Sequence, residues 1–191
     1  LNLRDNGLDV IIGQRKGTKS WDKAAKDNWG ENLMEIEAAC EQADIILYLL
    51  SDAGQKDQWS TVKNHVSGKT LCFAHGFSIV YRDQTEVEPP KDTDVILVVP
   101  KGAGLTVRRE YLAGRGINSS IAVWQDASGD AEMTAKALGM CIGSHYLFPT
   151  TFEREVFCNL TAERGVLVGA LAGIMEAQYN ELRKRGHLPS E

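Results

Sequence analysis

Residues Thr70 to Phe77, which read TLCFAHGF, are the clearest indication of the fold in this sequence. This segment is a short, nearly continuous apolar run that ends in a histidine and a glycine. A run of this length, bounded by turn residues, is typical of a strand that is buried on both faces of a sheet. We therefore predict a strand from Thr70 to Ala74, with His75 and Gly76 in the turn at its carboxyl end.

Similar segments lie on either side of this strand. The other predicted strands are rich in Val, Ile and Leu and are bounded by Gly, Pro or Asp: Leu8 to Gly13, Asp44 to Leu50, Asp94 to Val99 and Ser119 to Trp124. Between them, apolar residues at spacings of three and four predict helices: Ser20 to Asn28, Leu33 to Gln42, Ala53 to His65, Thr106 to Ala113 and Asp130 to Ile142. This alternation predicts an α/β fold with a mostly parallel sheet that is covered by helices on both faces.

The pattern changes after Pro149. One long helical stretch is predicted from Phe152 to Arg185, with a break near Gly165. We therefore expect an α/β domain over residues 1–149 and the first part of an all-α domain over residues 150–191. Because Pro189 has the character of a helix start, and because the chain does not begin with Met, both ends are expected to be incomplete.

Composition excludes several classes of protein. A chain of 191 residues that is 43% hydrophobic has enough apolar material for a sizeable core, which excludes a disordered protein. The net charge of -5 without a basic block argues against broad binding to nucleic acid, and no apolar run approaches the length of a membrane span. Each of the four cysteines stands alone in an apolar stretch: Cys40, Cys72, Cys141 and Cys158. This pattern predicts buried, reduced thiols in an intracellular protein.

Polar residues follow three of the predicted strands at the point where each strand ends. Ser51 to Gln55 follow the second strand, His75 and Gly76 follow the third, and Lys101 follows the fourth. Open α/β sheets bind ligands at the carboxyl ends of their strands, so these residues are candidates for a ligand site. A structural histidine and an ordinary surface lysine remain the alternatives for His75 and Lys101.

The first predicted strand is followed by a cationic loop. Arg15 and Lys16, with the hydroxyls of Thr18 and Ser20, suit the extra phosphate of NADP, and the acidic residue that would hold the ribose of NAD is absent. The alternative is a solvated turn in which Ser20 caps the next helix. The sequence contains no G-x-G-x-x-G motif, so a phosphate-binding glycine loop would have to precede Leu1.

The long helix opens with its most polar residues. Glu155, Asn159 and Glu163 are spaced by four, which places them on one face of an α-helix. Their oxygens could serve as ligands for Mg2+. A solvated stripe is the alternative interpretation of the same spacing.

Taken together, these segments resemble ketol-acid reductoisomerase, the NADPH- and Mg2+-dependent enzyme family of branched-chain amino-acid synthesis. The resemblance covers essentially the whole chain. Its most specific parts, in order along the chain, are Leu1 to Gly7, Ala74 to Phe77, Pro100 to Gly102, Gly116 to Ser120 and Thr150 to Glu155.

The resemblance implies a Rossmann-like domain that lacks its first strand and glycine loop here, followed by the start of a knotted-type helical domain. It implies catalytic roles for His75, Lys101 and Glu163, the last as the second carboxylate of a D-x-x-x-E metal motif. Asn159 stands where the family has a metal-bridging Asp, and a neutral amide with one acceptor oxygen is a poor bridge between two Mg2+ ions. The implied coenzyme-binding residues are Arg15, Lys16, Thr18, Ser20, Ser51, Asp52, Gln55, His75 and Gly76.

The function that follows is Mg2+-dependent alkyl migration in a 2-hydroxy-2-acyl acid such as 2-acetolactate, and reduction by NADPH. Because Asn159 departs from the family, the alternative is a catalytically inactive, reductoisomerase-derived domain that serves as a structural or interaction subunit. A third interpretation is an NADP-binding module of another dehydrogenase class.

We expect a homo-oligomer, because the apolar residues from Val166 to Tyr179 would suit a helix interface. A soluble intracellular protein is expected, in the cytoplasm of a bacterium or in a mitochondrion or plastid of a eukaryote.

Overall fold

The computed structural model describes residues 1–190, with the side chain of Glu163 outside the described part. It divides into two compact units, Leu1–Phe152 and the chain from Glu153 onward. The first unit alternates strands and helices, whereas the second is helical. Each unit is described separately below.

The first unit contains two sheets. A parallel pair is made by β1 (Ile12–Gly13) and β2 (Leu33–Met34). The larger sheet has the strand order β3-β4-β5-β6-β7, in which β5 and β6 are antiparallel and all other neighbours are parallel. The prediction of a mostly parallel α/β sheet is confirmed. The strands are β3 (Ile45–Leu47), β4 (Thr70–Phe73), β5 (Asp94–Pro100), β6 (Ser119–Gln125) and β7 (Leu147–Pro149).

The five helices predicted for this unit are present, with shifted ends. The segment predicted as a helix from Leu33 begins instead with β2, because Leu33 and Met34 pair with Ile12 and Gly13. The strand predicted from Leu8 is paired only at its last two residues, and β7 was not predicted. The helices are α1 (Asn2–Asp5), α2 (Lys19–Lys26), α3 (Ile36–Gln42), α4 (Asp52–Val62), α5 (Phe77–Val80), α6 (Arg82–Thr85), α7 (Gly104–Leu112) and α8 (Ala131–Cys141), with 3-10 turns at Gly30–Asn32 and Lys63–His65.

The core lies on both faces of β4 and β5. Leu71 and Phe73 belong to one buried cluster, together with Trp59 of α4. Cys72, between them in the strand, belongs to a second cluster with Ala135 of α8. Successive residues of a strand point to opposite faces, so a continuous apolar strand needs a cover on each side.

The predicted burial of the cysteines is confirmed for two of them. Cys40 and Cys72 are buried, whereas Cys141 is half-buried and Cys158 is exposed. All four are free thiols. The prediction was wrong for Cys158 because its apolar neighbours in sequence do not form a closed core around it.

The second unit is one continuous helical stretch. It runs through α9 (Phe152–Cys158), a π-helix (Asn159–Ala170) and α10 (Leu171–Lys184). The predicted break near Gly165 is wrong, since the backbone there widens instead of ending. A Cβ atom on Gly165 or Gly169 would lie 3.3 or 2.8 Å from the carbonyl oxygen five residues earlier, which is the acceptor in a π-helical hydrogen bond.

This stretch, Phe152–Lys184, is also long and apolar enough to cross a membrane when judged by length and composition alone. The expectation that no segment approaches such a length is therefore not met by this criterion. A core helix of a soluble protein passes the same test, so the observation is weak evidence for a membrane span.

Candidate coenzyme site

The three polar segments predicted at strand ends lie along one edge of the larger sheet. β3, β4 and β5 are adjacent and parallel, so the turns after them open at the same edge. The structure thus brings Ser51, His75 and Lys101 to a common side. A ligand that lies across this edge can contact the three turns together.

A fourth segment joins this edge because β6 is antiparallel. Ser119, at the amino end of β6, pairs with Pro100 at the end of β5, and the Lys101 N–H donates to the Asn118 carbonyl at 2.9 Å. The Ser119 hydroxyl lies 2.5 Å from that of Ser144. Sequence reasoning assigned no role to Ser119 or Ser144, although the Gly116 to Ser120 motif was a signal for Ser119.

His75 is half-buried in the turn between β4 and α5. Its ring stacks on Phe77, with the ring centroids 6.3 Å apart and the planes inclined by 18°. Gly76, which follows it, is the N-cap residue of α5. The imidazole therefore lies beside an aromatic ring at the edge where the other polar turns meet. Lys101, by contrast, is exposed.

The turn after β3 is held by caps and buried amides. Ser51 is the N-cap of α4, and its hydroxyl accepts from the Gly54 N–H at 3.2 Å. Ser51 is exposed and Asp52 is half-buried, so both remain at least partly accessible. Gln55, which was predicted to contact the coenzyme, is only 3% exposed. Its amide donates to the carbonyls of Tyr48 and Leu50, so the side chain faces the turn itself.

The cationic loop after β1 leaves its charges in solvent. Arg15, Lys16 and Ser20 are exposed. The Thr18 hydroxyl donates to the Arg15 carbonyl at 2.8 Å and accepts from the Trp21 N–H at 3.3 Å. The cap of α2 is therefore Thr18 and not Ser20, and Thr18 is committed to the turn, whereas the other three side chains remain accessible to an anion.

A cavity of about 490 Å³ separates the two sheets. Residues of β1 and of β3 line it together, and in the described part of the chain these two strands do not pair with each other. Leu3 and Leu138 contribute further apolar surface to its walls. β1 and β3 therefore border the same apolar cavity.

The motif at the start of the chain anchors α1 to the sheet unit. The Arg108 guanidinium donates to Asn2 at 2.9 Å and to the Asp5 carboxylate at 2.6 Å. The Asn2 amide in turn donates to the Ile142 carbonyl at 2.7 Å, at the end of α8. Arg108 is therefore a half-buried structural residue.

Among the side chains that the structure describes, the predicted metal ligands do not form a metal-binding cluster. Between residues 1 and 190, with Glu163 set aside, no group of three or more His, Cys, Asp or Glu side chains is placed to hold a metal ion. The prediction that Glu155, Asn159 and Glu163 share a face assumed an α-helix, which ends at Cys158. The Glu163 side chain lies outside the described residues, and Asn159 offers one neutral acceptor oxygen. The described donors therefore do not fit a bridged pair of Mg2+ ions.

A mostly parallel α/β sheet with polar turns at one edge, preceded by a cationic loop, defines a dinucleotide-binding domain. Residues 1–146 match the family model described as acetohydroxy acid isomeroreductase, NADPH-binding domain. The chain belongs to the acetohydroxy acid isomeroreductase, or ketol-acid reductoisomerase, family. The interpretation as another dehydrogenase class is thereby overturned.

Similar proteins are named ketol-acid reductoisomerases, with NAD(+) in the name of one and NADP(+) in the name of another, from Pyrobaculum aerophilum. A ketol-acid reductoisomerase (NAD(+)) of Desulfosudis oleivorans is 60% identical over the whole chain, which covers 55% of that protein. A mitochondrial ketol-acid reductoisomerase of Neurospora crassa is 54% identical over the whole chain, which covers 48% of it. The chain spans about half the length of the curated relatives it matches.

Among solved structures, an NADH-preferring ketol-acid reductoisomerase from an uncultured archean is 34% identical, with a TM-score of 0.89. That similarity covers 98% of this chain and 58% of the other. A semialdehyde dehydrogenase NAD-binding protein from Cupriavidus necator, at 16% identity and a TM-score of 0.68, shares the fold.

Proposed function

We propose that this chain forms the coenzyme-binding part of a ketol-acid reductoisomerase of branched-chain amino-acid biosynthesis. Its substrate would be a 2-hydroxy-2-acyl acid of the 2-acetolactate type. The observation that carries the proposal is the meeting of the turns after β3, β4 and β5 at one sheet edge in a chain of this family. Domain boundaries near Pro149, with a second domain that continues the helical unit, are part of the proposal.

NADPH is the proposed coenzyme, and when bound it supplies the hydride. Arg15, Lys16 and Ser20 would hold its 2′-phosphate, because they are exposed and no acidic residue lies between Gly13 and Trp21. Ser51, Asp52 and Gly76 would border the rest of the dinucleotide at the strand ends. Thr18 would shape the loop through its backbone contacts.

His75 and Lys101 are proposed as the catalytic side chains of this unit. The Lys101 ammonium would bind an anionic oxygen of the substrate, since the side chain is exposed at the end of β5. His75 would hold or move the proton at the substrate oxygen, because its ring lies beside Phe77 at this edge and an imidazole nitrogen can donate or accept a proton. Glu163 is proposed as a further acidic group from the family motif.

The phosphate-binding loop is proposed to precede Leu1, together with the strand that leads into it. The apolar cavity between β1 and β3 supports this, because it exposes two strand edges to which a parallel strand would pair. Arg108 would then hold the carboxyl end of the helix that follows the loop.

Because the described donors do not fit a bridged Mg2+ pair, no catalytic step is assigned to Mg2+. Asn159 favours the second candidate function, a reductoisomerase-derived domain that no longer performs the alkyl migration. Such a domain would serve as a structural or interaction subunit. In either case we propose a soluble homo-oligomer of the cytoplasm or of an organelle. Light scattering that shows a monomer at micromolar concentration would contradict the oligomer.

The decisive assay follows NADPH oxidation by the purified protein in Mg2+ buffer, with 2-acetolactate or with a simple 2-keto acid. We expect NADPH binding and reduction of the keto acid, with little turnover of 2-acetolactate. Lys101→Met should lower the reduction at least tenfold, whereas Lys91→Met, at another exposed lysine, should not. Protein that fails to bind NADPH would refute the coenzyme proposal, and rapid turnover of 2-acetolactate would refute our interpretation of Asn159.

Coenzyme choice is tested at the cationic loop. Replacing both Arg15 and Ser20 by Asp should reverse the preference from NADPH to NADH, because two carboxylates would repel the 2′-phosphate. Loss of the charge-assisted hydrogen bonds should change the ratio of kcat/KM values about tenfold or more. Lys26→Asp, at the far end of α2, serves as the control. An unchanged ratio in the double variant would remove this loop from the site.

A further inference from the structure

Two buried polar side chains close the turn between β3 and α4. Tyr48 is 4% exposed and Gln55 is 3% exposed, although both carry polar groups. The Tyr48 hydroxyl donates to the Gln55 carbonyl at 2.6 Å. The Gln55 amide donates to the carbonyl of Tyr48 at 3.0 Å and to that of Leu50 at 3.1 Å. Each side chain therefore binds the backbone at the other end of the turn.

At this turn, the hydrogen bonds of Tyr48 and Gln55 take the place of the backbone hydrogen bonds of a helix or strand. β3 ends at Leu47 and α4 begins at Asp52, so the backbone between them belongs to neither element. Buried carbonyl groups in such a segment need donors from side chains. The Gln55 amide supplies them for Tyr48 and Leu50, and its own Oε1 has no donor among the described residues. Gln55 thus acts here as a donor alone.

The pair is also packed against the neighbouring strand. The Tyr48 ring meets Phe73 of β4 edge-on, with the ring centroids 5.9 Å apart, and Trp59 of α4 at 6.2 Å. Burial raises the pKa of Tyr48, so its hydroxyl remains a donor at physiological pH. Since Phe73 leads directly to the turn of His75, this packing connects two of the turns that form the sheet edge.

We propose that Tyr48 and Gln55 are positioning residues, which hold the Ser51–Asp52 turn in the conformation that binds the dinucleotide without touching it. The inference rests on the proposed function, because it requires the coenzyme to bind at this sheet edge. It differs from a direct contact by Gln55, since the buried amide is already directed at the backbone. Loosening the turn should weaken coenzyme binding and leave the catalytic step intact.

The test compares three single variants of the protein, Gln55→Met, Tyr48→Phe and Gln58→Met. Gln58 is the matched control, a half-buried glutamine in the same helix whose side chain makes no hydrogen bond within the described residues. NADPH fluorescence gives the Kd, and steady-state reduction of a keto acid gives KM for NADPH and kcat. We expect Gln55→Met to raise Kd and KM about tenfold, Tyr48→Phe to raise them by a smaller factor, and kcat to stay within about twofold.

The outcomes separate this inference from the proposed function. If the unmodified protein does not bind NADPH, the proposed function fails and the inference fails with it. If it binds NADPH and both Gln55→Met and Tyr48→Phe bind it as tightly as Gln58→Met does, only the positioning role is overturned. A fall in kcat at unchanged KM would also overturn it. Tyr48→Phe keeps the test decisive if Gln55→Met does not fold, because the buried ring and its packing are retained.

Discussion

Apolar side chains have opposite surroundings in the two units. In Leu1–Phe152, Leu71 and Phe73 are fully buried between the sheet and its helices. In the helix of the second unit, Leu167, Ile174 and Met175 are at least 60% exposed. The segments that contain these residues, β4 and the helix from Leu167 onward, are both rich in apolar residues. An apolar pattern therefore indicates a surface that can be buried, but the arrangement of the other elements decides whether that surface is buried.

The consequence is a different source of stability in each unit. Burial of apolar area stabilises the sheet unit. From Val166 to Tyr179 the apolar side chains of the helix are exposed, so this part is stabilised mainly by backbone hydrogen bonds; Arg185 and Glu181 add a local side-chain pair at 2.9 Å. Substitutions that remove packing should therefore act strongly in the first unit and weakly at the exposed apolar residues of the second.

The largest difference is expected for a matched pair of phenylalanines. Phe73→Ala should lower the free energy of unfolding by about 4 kcal/mol, because the ring is fully buried and contacts other aromatic rings. Phe157→Ala, at a side chain that is 58% exposed, should change it by less than about 1 kcal/mol. Urea unfolding measures both. Equal losses would show that the helix is as closely packed as the sheet.

Replacing a glycine by alanine should have opposite effects on stability in the two units. Gly116 has a φ of +65°, and a Cβ there would overlap the carbonyl of Gly143 and lie 2.8 Å from the His145 ring. Gly116→Ala should therefore cost about 3 kcal/mol. A Cβ on Gly173, in α10, meets no other atom within 4 Å.

Gly173→Ala should therefore stabilise the helix, by about 0.5 kcal/mol, because alanine is the better helix former. Thermal unfolding by circular dichroism shows the two shifts in opposite directions. If Gly116→Ala were as stable as the unmodified protein, the close approach of Gly116 to Gly143 would be disproved.

A buried carboxylate gives the sheet unit a pH dependence. Asp94, at the start of β5, accepts hydrogen bonds from the N–H groups of Ala127 at 2.7 Å and Ser128 at 3.0 Å, and from the Ser128 hydroxyl at 2.6 Å. Burial alone would raise the pKa of Asp94, but the hydrogen bonds from Ser128 and Ala127 outweigh it and lower the pKa. The stabilisation is therefore present above the unfolded pKa of about 4 and is lost as the pH falls through the folded value.

Asp94→Asn should lower the stability at pH 7 by about 2 kcal/mol and flatten the loss of stability in acid. Glu176→Gln, at an exposed carboxylate of the helical unit, should change neither property. Urea unfolding at pH 3, 5 and 7 gives the comparison. An unaltered acid profile in Asp94→Asn would assign the acid sensitivity to other groups.

At the start of the π-helix the expected effect is on metal binding and not on folding. Asn159→Asp should raise the affinity for Mg2+ about tenfold, because a carboxylate is charged and has a second oxygen for a hard cation. If the family reaction is latent, turnover of 2-acetolactate should rise with it. Isothermal titration calorimetry measures the affinity, and Gln178→Glu in α10 controls for added charge alone. A silent Asn159→Asp variant would favour the non-catalytic function.

The predictable part of the site consists of residues whose position follows from their own strand. His75 and Lys101 were predicted at strand ends because the apolar runs before them are unambiguous, and the structure places them there. Gln55 was assigned to the coenzyme because it follows a predicted strand and because the family resemblance implies that role. Its burial depends on Tyr48, whose hydroxyl meets Gln55 only after the chain turns back. Thr18 and Ser20 are both good capping residues, and only the backbone distinguishes which of them begins α2.

Local sequence predicts the α/β class, the buried strands β4 and β5 and the order of the polar turns, because each depends on hydrophobic periodicity over a few neighbouring residues. Long-range contacts, in contrast, set the antiparallel placement of β6, the pairing that creates β2 and the exposure of the apolar helix residues. These features depend on partners that are distant along the chain. A local pattern records that a surface is apolar or that a group can form hydrogen bonds, but the partner it meets is set by the path of the whole chain.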